Sequence, residues 1–306
     1  MIAIVPAHPS RAIARIGDAL ALHAPGAARR IEVPKKDARR NWLVPGEDQG
    51  DVLVLMVNGW RDHYAAQAAR ALARGQKYAV VQIALRTTRH PRTEQWRELW
   101  RGASVVWSYY PLDLWIREER GAPIDFPFYH APLGVNASIF RATPTETTYR
   151  PYTVCTSGAQ RNQEGVAECD EAVHALGGRV LQLGPMFEMR SDTYFTTGIS
   201  DSDLADLYGR CQWVSGLRRT EGFELPAAEG LLCGARPLLF DRPHYRRWYE
   251  PWGTFVREDS FDIVKRDLIQ LFDLGPRPVT GPEREAAAKL FDWERICRGF
   301  WEACGA

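Results

Sequence analysis

Two glutamates, Glu221 and Glu229, stand eight positions apart in the otherwise largely apolar stretch RRTEGFELPAAEGLLCGARPLLFD, residues 218–241. Carboxylates are nearly always solvated or paired, because a buried charge without partners is costly. A carboxylate among apolar residues therefore needs hydrogen-bond donors, and sugar hydroxyl groups supply them in pairs. The stretch predicts a site for a sugar-containing ligand. In the alternative interpretation, Glu221 pairs with Arg218 or Arg219, and Glu229 is an ordinary acid in the first turn of a helix.

The residues around these glutamates predict a strand, a loop and a helix. Pro226 suits the first helical position, where its missing N–H costs no hydrogen bond, and Gly234 suits the residue just past the helix end. Glu221 then lies in the loop and Glu229 in the first turn of the helix. The loop amides of residues 222–225 precede a helix N-terminus, which favours an anion and commonly a phosphate. The stretch thus indicates sugar and phosphate binding together.

A second group of polar residues follows two apolar runs in the first half of the chain. These residues are Asn58, Asp62, His63, Gln82, Arg86 and Thr87. Polar side chains at the carboxyl ends of parallel strands are where binding sites form in α/β proteins. Asp62 or His63 is therefore a candidate to orient a substrate hydroxyl, and Arg86 to contact a phosphate. The alternatives are that Asp62 and His63 cap a helix and that residues 82–96 form a solvated basic loop.

Short apolar runs alternate with helical patterns in two series. The runs span residues 2–5, 52–57, 78–85 and 104–107, then 152–157, 179–184, 211–216 and 236–240. This alternation predicts two doubly wound α/β domains with a cleft between them, and ligands bind beyond the carboxyl ends of such strands. We place the first domain at residues 1–140 and the second at 141–284, with RATPTETTYRP (141–151) as the linker. Residues 285–306 are expected to pack back toward the first domain.

Four motifs resemble the retaining nucleotide-sugar glycosyltransferases of the GT-B fold, in the family-4-like group. TEGFELP before the helix of the second glutamate resembles that family's E-G-F-x-L-P signature. APLGVNASIF (131–140) resembles its crossover into the second domain, and TSGAQRNQEGV (156–166) its phosphate-contacting turn. GISDSDLADLYGRCQWV (198–214) resembles the helix and strand that lead to the glutamates. The resemblance covers roughly residues 131–260 and implies two Rossmann-like domains that face a central cleft.

The resemblance also implies roles for individual residues. Glu221 would contact hydroxyls of the transferred sugar, and Glu229 would hold the two ribose hydroxyls of the nucleotide. The residues implied to line the diphosphate and sugar are Ser157, Gly158, Gly222, Phe223 and Leu225. The donor would be a UDP- or GDP-sugar. Transfer would retain the anomeric configuration and would use no metal and no other cofactor.

The chain departs from the family's pattern at the expected phosphate site. The family usually has an Arg after the glycine equivalent to Gly158 and a Lys before the next glycine, where this chain has Ala159 and Glu164. Arg161, in the same loop, is the expected substitute. A catalytic-side His of the family is replaced by Gln82. The residues expected to act in catalysis are Glu221, Arg161 and Arg86, and those expected on the acceptor side are Asn58, Asp62, His63, Gln82 and Thr87.

Charge is distributed unevenly along the chain. Residues 1–140 hold 19 Lys and Arg against 13 Asp and Glu, a net +6, whereas residues 141–306 hold 20 against 25, a net −5. Basic runs with interleaved aromatics, such as ARRIEVPKKDARRNW (28–42), favour a polyanion, because phosphate neutralisation supplies most non-specific affinity for DNA. EGLLCGARPLLFDRPHY also resembles bacteriophage glycosyltransferases, several of which modify hydroxymethylated pyrimidines in DNA. Double-stranded DNA, with the target base flipped out, is therefore one expected acceptor. The alternative is a glycan or lipid-linked acceptor beside a solvated basic face.

Composition and motifs argue against several other classes. With 306 residues, 45% hydrophobic and 25% charged, the chain is typical of a two-domain globular protein, and no apolar run is long enough to span a bilayer. The histidines lack zinc-site spacing, no G-x-G-x-x-G follows the first strand, and DSD at 201–203 predicts a helix cap rather than a metal site. Six scattered cysteines indicate free thiols in a cytoplasm, that of the host if a phage encodes the chain. A GT-B epimerase or phosphorylase and a catalytically silent binding module remain as alternatives.

Overall fold

The computed structural model describes residues 2–7, 11–32, 50–58, 62–84, 93–112, 123–142, 150–158, 164–184, 194–219 and 222–305. The chain divides into two compact units. The first comprises Met1–Gly134 with Trp293–Ala306, and the second comprises Val135–Asp292. Sequence analysis places the corresponding boundaries at 140/141 and 284/285.

A six-stranded parallel sheet forms the centre of the first unit. Its strands are β1 (Ile2–Ala7), β2 (Ala27–Glu32), β3 (Val52–Asn58), β4 (Lys77–Ala84), β5 (Val106–Ser108) and β6 (Phe128–His130). Helices α1 (Arg11–Leu22), α2 (Asp62–Ala73) and α3 (Thr93–Arg101) connect them. The spatial order is β2-β1-β3-β4-β5-β6. Residues 52–57 of β3 are all apolar and buried, as expected of a parallel strand covered on both faces.

The second unit repeats this architecture. Its parallel strands are β7 (Tyr152–Ser157), β8 (Val180–Leu183), β9 (Tyr194–Thr196), β10 (Cys211–Gly216), β11 (Arg236–Phe240) and β12 (Thr254–Val256), in the order β12-β11-β10-β7-β8-β9. Its helices are α4 (Val166–Ala175), α5 (Asp201–Gly209), α6 (Leu225–Leu232), α7 (Pro243–Tyr249), α8 (Phe261–Leu274) and α9 (Gly281–Leu290). From β7 the chain passes through β8 and β9, then returns to β10 on the other side of β7. The order therefore reverses between β7 and β10, and ligands of such sheets bind at that switch point.

The last helix, α10 (Trp293–Ala303), belongs to the first unit. The Trp301 indole donates a hydrogen bond to the carbonyl of Leu20 on α1, at 3.2 Å. The Tyr129 hydroxyl on β6 donates to the carbonyl of Ile296, at 3.0 Å. The residues at the end of the chain thereby help to bury the first unit's core.

The eight strands expected from the apolar runs are confirmed. Strands β2, β6, β9 and β12 were not predicted, because a short or charged strand at a sheet edge lacks a buried apolar run. The DSD segment opens a helix as expected, but the cap is the preceding residue, Ser200, whose Oγ accepts from the Asp203 amide at 3.1 Å. Helix α6 begins at Leu225, one residue before the predicted start at Pro226, so Glu229 is its fifth residue rather than its fourth and lies just beyond the first turn. The extended backbone of Glu224 allows this earlier start, and its carbonyl accepts from the Ala228 amide at 3.1 Å.

Two further expectations concern the thiols and the membrane. All six cysteines are buried and none of them is in a disulfide, which agrees with the prediction of thiols. Among the described helices, none has the length and apolar character needed to cross a bilayer.

Candidate functional site

The carboxyl end of β7 lies at the switch point of the second sheet. Ser157 ends the strand, and Gly158 follows with φ 144°, a conformation that side chains rarely adopt. A Cβ atom at this position would overlap with the carboxylate of Glu164. The Gly158 amide donates to the Leu183 carbonyl at 3.2 Å, and its own carbonyl accepts from Gln182 Nε2 at 3.3 Å. The glycine therefore permits a close approach to a firmly held backbone.

The loop after β10 packs directly against the loop after β7. Gly165, the N-cap of α4, has φ 58°, and a Cβ atom there would lie 2.6 Å from Leu217 Cβ and 3.0 Å from the Leu217 carbonyl oxygen. The Leu217 amide donates to Ser215 Oγ at 3.4 Å. Because a side chain at Gly165 would separate the two loops, this glycine keeps both at one switch point.

The guanidinium of Arg218 connects the two loops. Its Nη1 donates to Glu164 Oε1 at 3.1 Å, and its Nη2 donates to Ser157 Oγ at 3.2 Å and to the Ser157 carbonyl at 3.3 Å. Its Nε lies 3.0 Å from Glu224 Oε2. One side chain of the β10–α6 loop thus holds the end of β7, the acid before α4 and the acid before α6.

Glu224 is the most deeply buried carboxylate of this cluster, with 1% of its surface exposed. Its Oε1 accepts from the Tyr245 hydroxyl at 3.1 Å, and its carbonyl accepts from the Tyr249 hydroxyl at 2.6 Å. Burial raises the pKa of Tyr249 well above its ordinary value, and the negative charge of Glu224 raises it further. Glu224 is therefore fixed in the core by two hydroxyl groups and one cation.

Helix α6 carries Glu229 into a buried position beside Tyr208. Glu229 is 3% exposed, and its Oε2 accepts from the Tyr208 hydroxyl at 3.3 Å. Burial raises the pKa of Tyr208 well above its usual range, and the charge of Glu229 adds to this effect, so the tyrosine donates its proton and does not lose it. Gly230 allows α6 to pack closely on Val214 of β10, because a side chain there would overlap with that valine. The loop before the helix is anchored by Phe223, whose ring lies 5.6 Å from that of Phe291.

All six residues that the sequence assigns to donor binding fall within the described part of the second unit. Ser157 ends β7 and Gly158 follows it directly. The β10–α6 loop contains Gly222 and Phe223, and helix α6 contains Leu225 and Glu229. The expected catalytic residues Glu221, Arg161 and Arg86 and the acceptor-side residue Thr87 lie outside the described residues. The roles of all these residues stay predictions.

The remaining acceptor-side residues lie in the first unit. Asn58 ends β3, and Asp62 and His63 open α2. The side chain of Gln82 is fully buried within β4, where its Oε1 accepts from the Trp100 indole at 3.1 Å. The structure thus places Gln82 inside the first unit's core.

Sequence analysis missed the structural roles of Arg218, Glu224, Tyr208 and Tyr245. One signal was present for Glu224, because it is a third acid within the apolar stretch that contains Glu221 and Glu229. Within the described ranges, no group of three or more His, Cys, Asp or Glu side chains is arranged to hold a metal ion.

Solved structures of glycosyltransferases match this chain over nearly its whole length. HepE of Anabaena in complex with UDP has a TM-score of 0.72 at 10% identity, covering 99% of this chain and 99% of that chain. Sucrose-phosphate synthase of Thermosynechococcus elongatus has 0.68 at 14% identity, covering 98% and 97%. AviGT4, a glycosyltransferase involved in avilamycin A biosynthesis, has 0.68 at 13% identity, covering 100% and 97%. The fold is GT-B.

The GT-B fold expected from the motifs is therefore confirmed, with two parallel sheets and their connecting helices. No family model and no curated protein matches the chain. Likeness at this level of identity shows the fold alone, and one fold can carry many different functions.

Proposed function

We propose that this protein is a retaining glycosyltransferase, which moves a sugar from a nucleoside diphosphate sugar to an acceptor hydroxyl. The observation that supports this proposal is that the end of β7 and the β10–α6 loop, which carry most of the expected donor-site residues, follow neighbouring strands at the switch point of the second sheet and are joined by Arg218. Gly158 allows a close approach to the end of β7, and the segment Gly222–Leu225 leads into the N-terminus of α6. Glu229 adds a buried carboxylate on the same helix.

Each part of this arrangement suits one part of the donor. The amides at the α6 N-terminus suit the diphosphate, because oriented N–H groups stabilise the negative charge that develops as it leaves. Glu229 suits the two ribose hydroxyls, and Glu221 the hydroxyls of the transferred sugar. The bond between the anomeric carbon and the phosphate oxygen breaks, while the bond to the acceptor oxygen forms on the same face. The departing phosphate oxygen takes the acceptor's proton.

A donor hydrolysis assay tests this proposal. UDP-sugars and GDP-sugars are offered separately without an acceptor, and release of the nucleoside diphosphate is measured. Glu221→Ala should depress turnover while affinity for the nucleoside diphosphate stays close to that of the wild type. Release of no nucleotide from any donor would favour a binding module, and conversion of the donor sugar without transfer would favour an epimerase.

We further propose double-stranded DNA with hydroxymethylated pyrimidines as the acceptor. The net charge of +6 over residues 1–140 supports it. In addition, the edge strand β2 exposes Arg29 and Arg30, although Arg30 Nη2 lies 3.0 Å from Asp18 Oδ1. A basic edge strand is accessible to a polyanion because, among the described strands, only β1 pairs with it.

The acceptor test uses duplex DNA that contains 5-hydroxymethyl pyrimidines, together with each donor. A mass increment of one hexose or pentose on the DNA is expected, with binding that weakens about tenfold or more between 50 and 200 mM salt. No increment with any donor, and no salt-sensitive binding, would return the acceptor to the glycan or lipid-linked class.

A further inference from the structure

We propose that Arg218 is the cation that binds the donor diphosphate, and that Glu164 occupies the phosphate position in the donor-free protein. This inference rests on the proposed function, because it assigns residues to the phosphate part of the same site. The family usually has an Arg and a Lys where this chain has Ala159 and Glu164. The proposal gives their role to Arg218 in the β10–α6 loop, instead of to a residue in the loop between Gly158 and Gly165.

Glu164 lies where a phosphate beside β7 would lie. Its carboxylate fills the space next to Gly158, so closely that even a methyl group on that glycine would overlap with it. At the same time its Oε1 accepts from Arg218 Nη1 at 3.1 Å. Carboxylate and phosphate oxygens present similar acceptors to a guanidinium, and both form strong charge-assisted hydrogen bonds with it. The Glu164 contact therefore reproduces the contact that a diphosphate would make.

Arg218 is held in place by partners other than Glu164. Its Nε lies 3.0 Å from Glu224 Oε2, and Glu224 is fixed in turn by the Tyr245 hydroxyl. Its Nη2 donates to both the hydroxyl and the carbonyl of Ser157. These contacts fix the direction of the guanidinium before any ligand arrives, which lowers the entropy cost of binding.

The two carboxylates that flank Arg218 differ in exposure. The side chain of Glu164 is 12% exposed, that of Arg218 is 19% exposed and that of Glu224 is 1% exposed. Glu164 is thus the partner nearer to solvent, and it can leave without uncovering the buried pair. A diphosphate beside Gly158 would otherwise meet a carboxylate of the same sign. Binding of the donor therefore requires that Glu164 give up its place on Arg218.

Calorimetric titration of UDP, GDP and their nucleosides separates these roles. Glu164→Gln should bind the preferred nucleoside diphosphate about tenfold more tightly, because a charged competitor for Arg218 is removed. Arg218→Gln should bind it about tenfold or more weakly, since the charge-assisted contacts are lost. In the double variant, Glu164→Gln should give no gain, because the gain requires Arg218. Uridine or guanosine alone should bind all variants equally.

Matched controls come from the same unit. Glu171→Gln removes an acid on α4 that pairs with Lys265 at 3.1 Å, and it should leave affinity unchanged. Arg246→Ala removes another arginine that pairs with two carboxylates, those of Asp241 and Glu250, and should also leave affinity unchanged. Arg218→Lys retains the charge and serves as the second variant if Arg218→Gln does not fold, with a loss of affinity still expected because lysine cannot make the bidentate contact.

The proposal is overturned if Glu164→Gln fails to bind the diphosphate more tightly, or if the gain persists without Arg218. An equal gain for the nucleoside would also overturn it, because the effect would not act through phosphate. If the wild type binds UDP or GDP and Glu229→Ala weakens that binding, the proposed function stands whatever the Glu164 variant shows. If the wild type binds no nucleoside diphosphate, both proposals fail together.

Discussion

Replacement of Glu229 by alanine should weaken binding of the nucleoside diphosphate without unfolding the second unit. The proposed contact is between this buried carboxylate and two ribose hydroxyl groups. Loss of such charged hydrogen bonds costs about 1–3 kcal/mol after water has replaced them, which corresponds to an affinity about 5- to 150-fold lower at 25 °C. Glu229→Gln, which keeps the shape and one acceptor, should fall between the wild type and the alanine variant.

The effect of this substitution on the unliganded fold has two opposing parts. The buried Tyr208 hydroxyl loses the acceptor at 3.3 Å, and an unsatisfied buried hydroxyl costs about 1–3 kcal/mol. The protein also no longer has to bury the Glu229 carboxylate, which offsets part of that cost. We therefore expect a folded variant whose stability changes less than its affinity for the ligand.

Calorimetry with two ligands isolates the ribose contact. UDP or GDP, whichever the wild type binds, should show the full loss in Glu229→Ala, whereas pyrophosphate, which has no ribose, should bind both proteins equally. Tyr208→Phe is the matched control, because it removes the neighbouring hydroxyl and leaves the carboxylate in place. It should change affinity by less than about threefold.

Three results would refute this assignment. Wild-type affinity in Glu229→Ala would show that the carboxylate does not contact the nucleotide. An equal loss for pyrophosphate would place the effect at the phosphates or in the fold. A loss in Tyr208→Phe as large as that in Glu229→Ala would make Glu229 a structural partner of the tyrosine.

Three further predictions concern the buried ion pair of Glu224, the acid stability given by Glu283 and the dependence of transfer on a metal. Glu224→Ala should lower the free energy of unfolding of the second unit by about 3–5 kcal/mol, because Arg218 then loses its buried carboxylate partner. Hydrogen exchange of peptides from that unit measures this loss of stability, and a change below about 1 kcal/mol would contradict the prediction. Burial alone would raise the pKa of Glu283, but hydrogen bonds from Arg236 and Thr280 outweigh burial and lower it from 4.5 to about 2. The stabilising contribution of the ionised Glu283 side chain is therefore complete above about pH 5 and is lost as pH falls toward about 2. Acid unfolding should accordingly be less steep in Glu283→Gln than in the wild type. An identical acid transition in both proteins would refute the expectation. Glycosyl transfer should survive a chelator, and activity that is lost in chelator and restored by manganese would show that a metal takes part.

The sequence alone determines the features of this protein that depend on local chemistry. The buried strands are recognisable because a parallel strand covered on both faces is apolar throughout, as residues 52–57 and 236–240 are. The end of α6 is recognisable because Gly234 takes φ 87°, which other residues rarely adopt. The start of α5 is recognisable because Ser200 caps it. These local signals predict two doubly wound α/β domains, and the resemblance of four motifs to nucleotide-sugar glycosyltransferases implies the GT-B fold and the donor-binding loops.

Only the tertiary structure decides which charged groups meet at the switch point. From the sequence, Glu221 was the nearest candidate partner for Arg218. Glu221 lies outside the described residues, and the described contacts of Arg218 include Glu164 and Ser157, which are 54 and 61 residues away along the chain. Glu224 similarly meets Tyr245, which is 21 residues away. No local pattern in the sequence indicates that residues this far apart along the chain are in contact.

The physical reason lies in the order of the strands. Arg218 reaches Ser157 because β10 pairs with β7, although β8 and β9 lie between them in the sequence. Strand order is set by how the helices and loops cover both faces of the sheet, which is a property of the whole unit. A charged side chain can pair with any nearby group of opposite sign, so the residue type alone does not determine its partner. Packing selects it: at Gly165 and Gly158 a missing side chain lets two loops and one carboxylate approach closely enough to share Arg218.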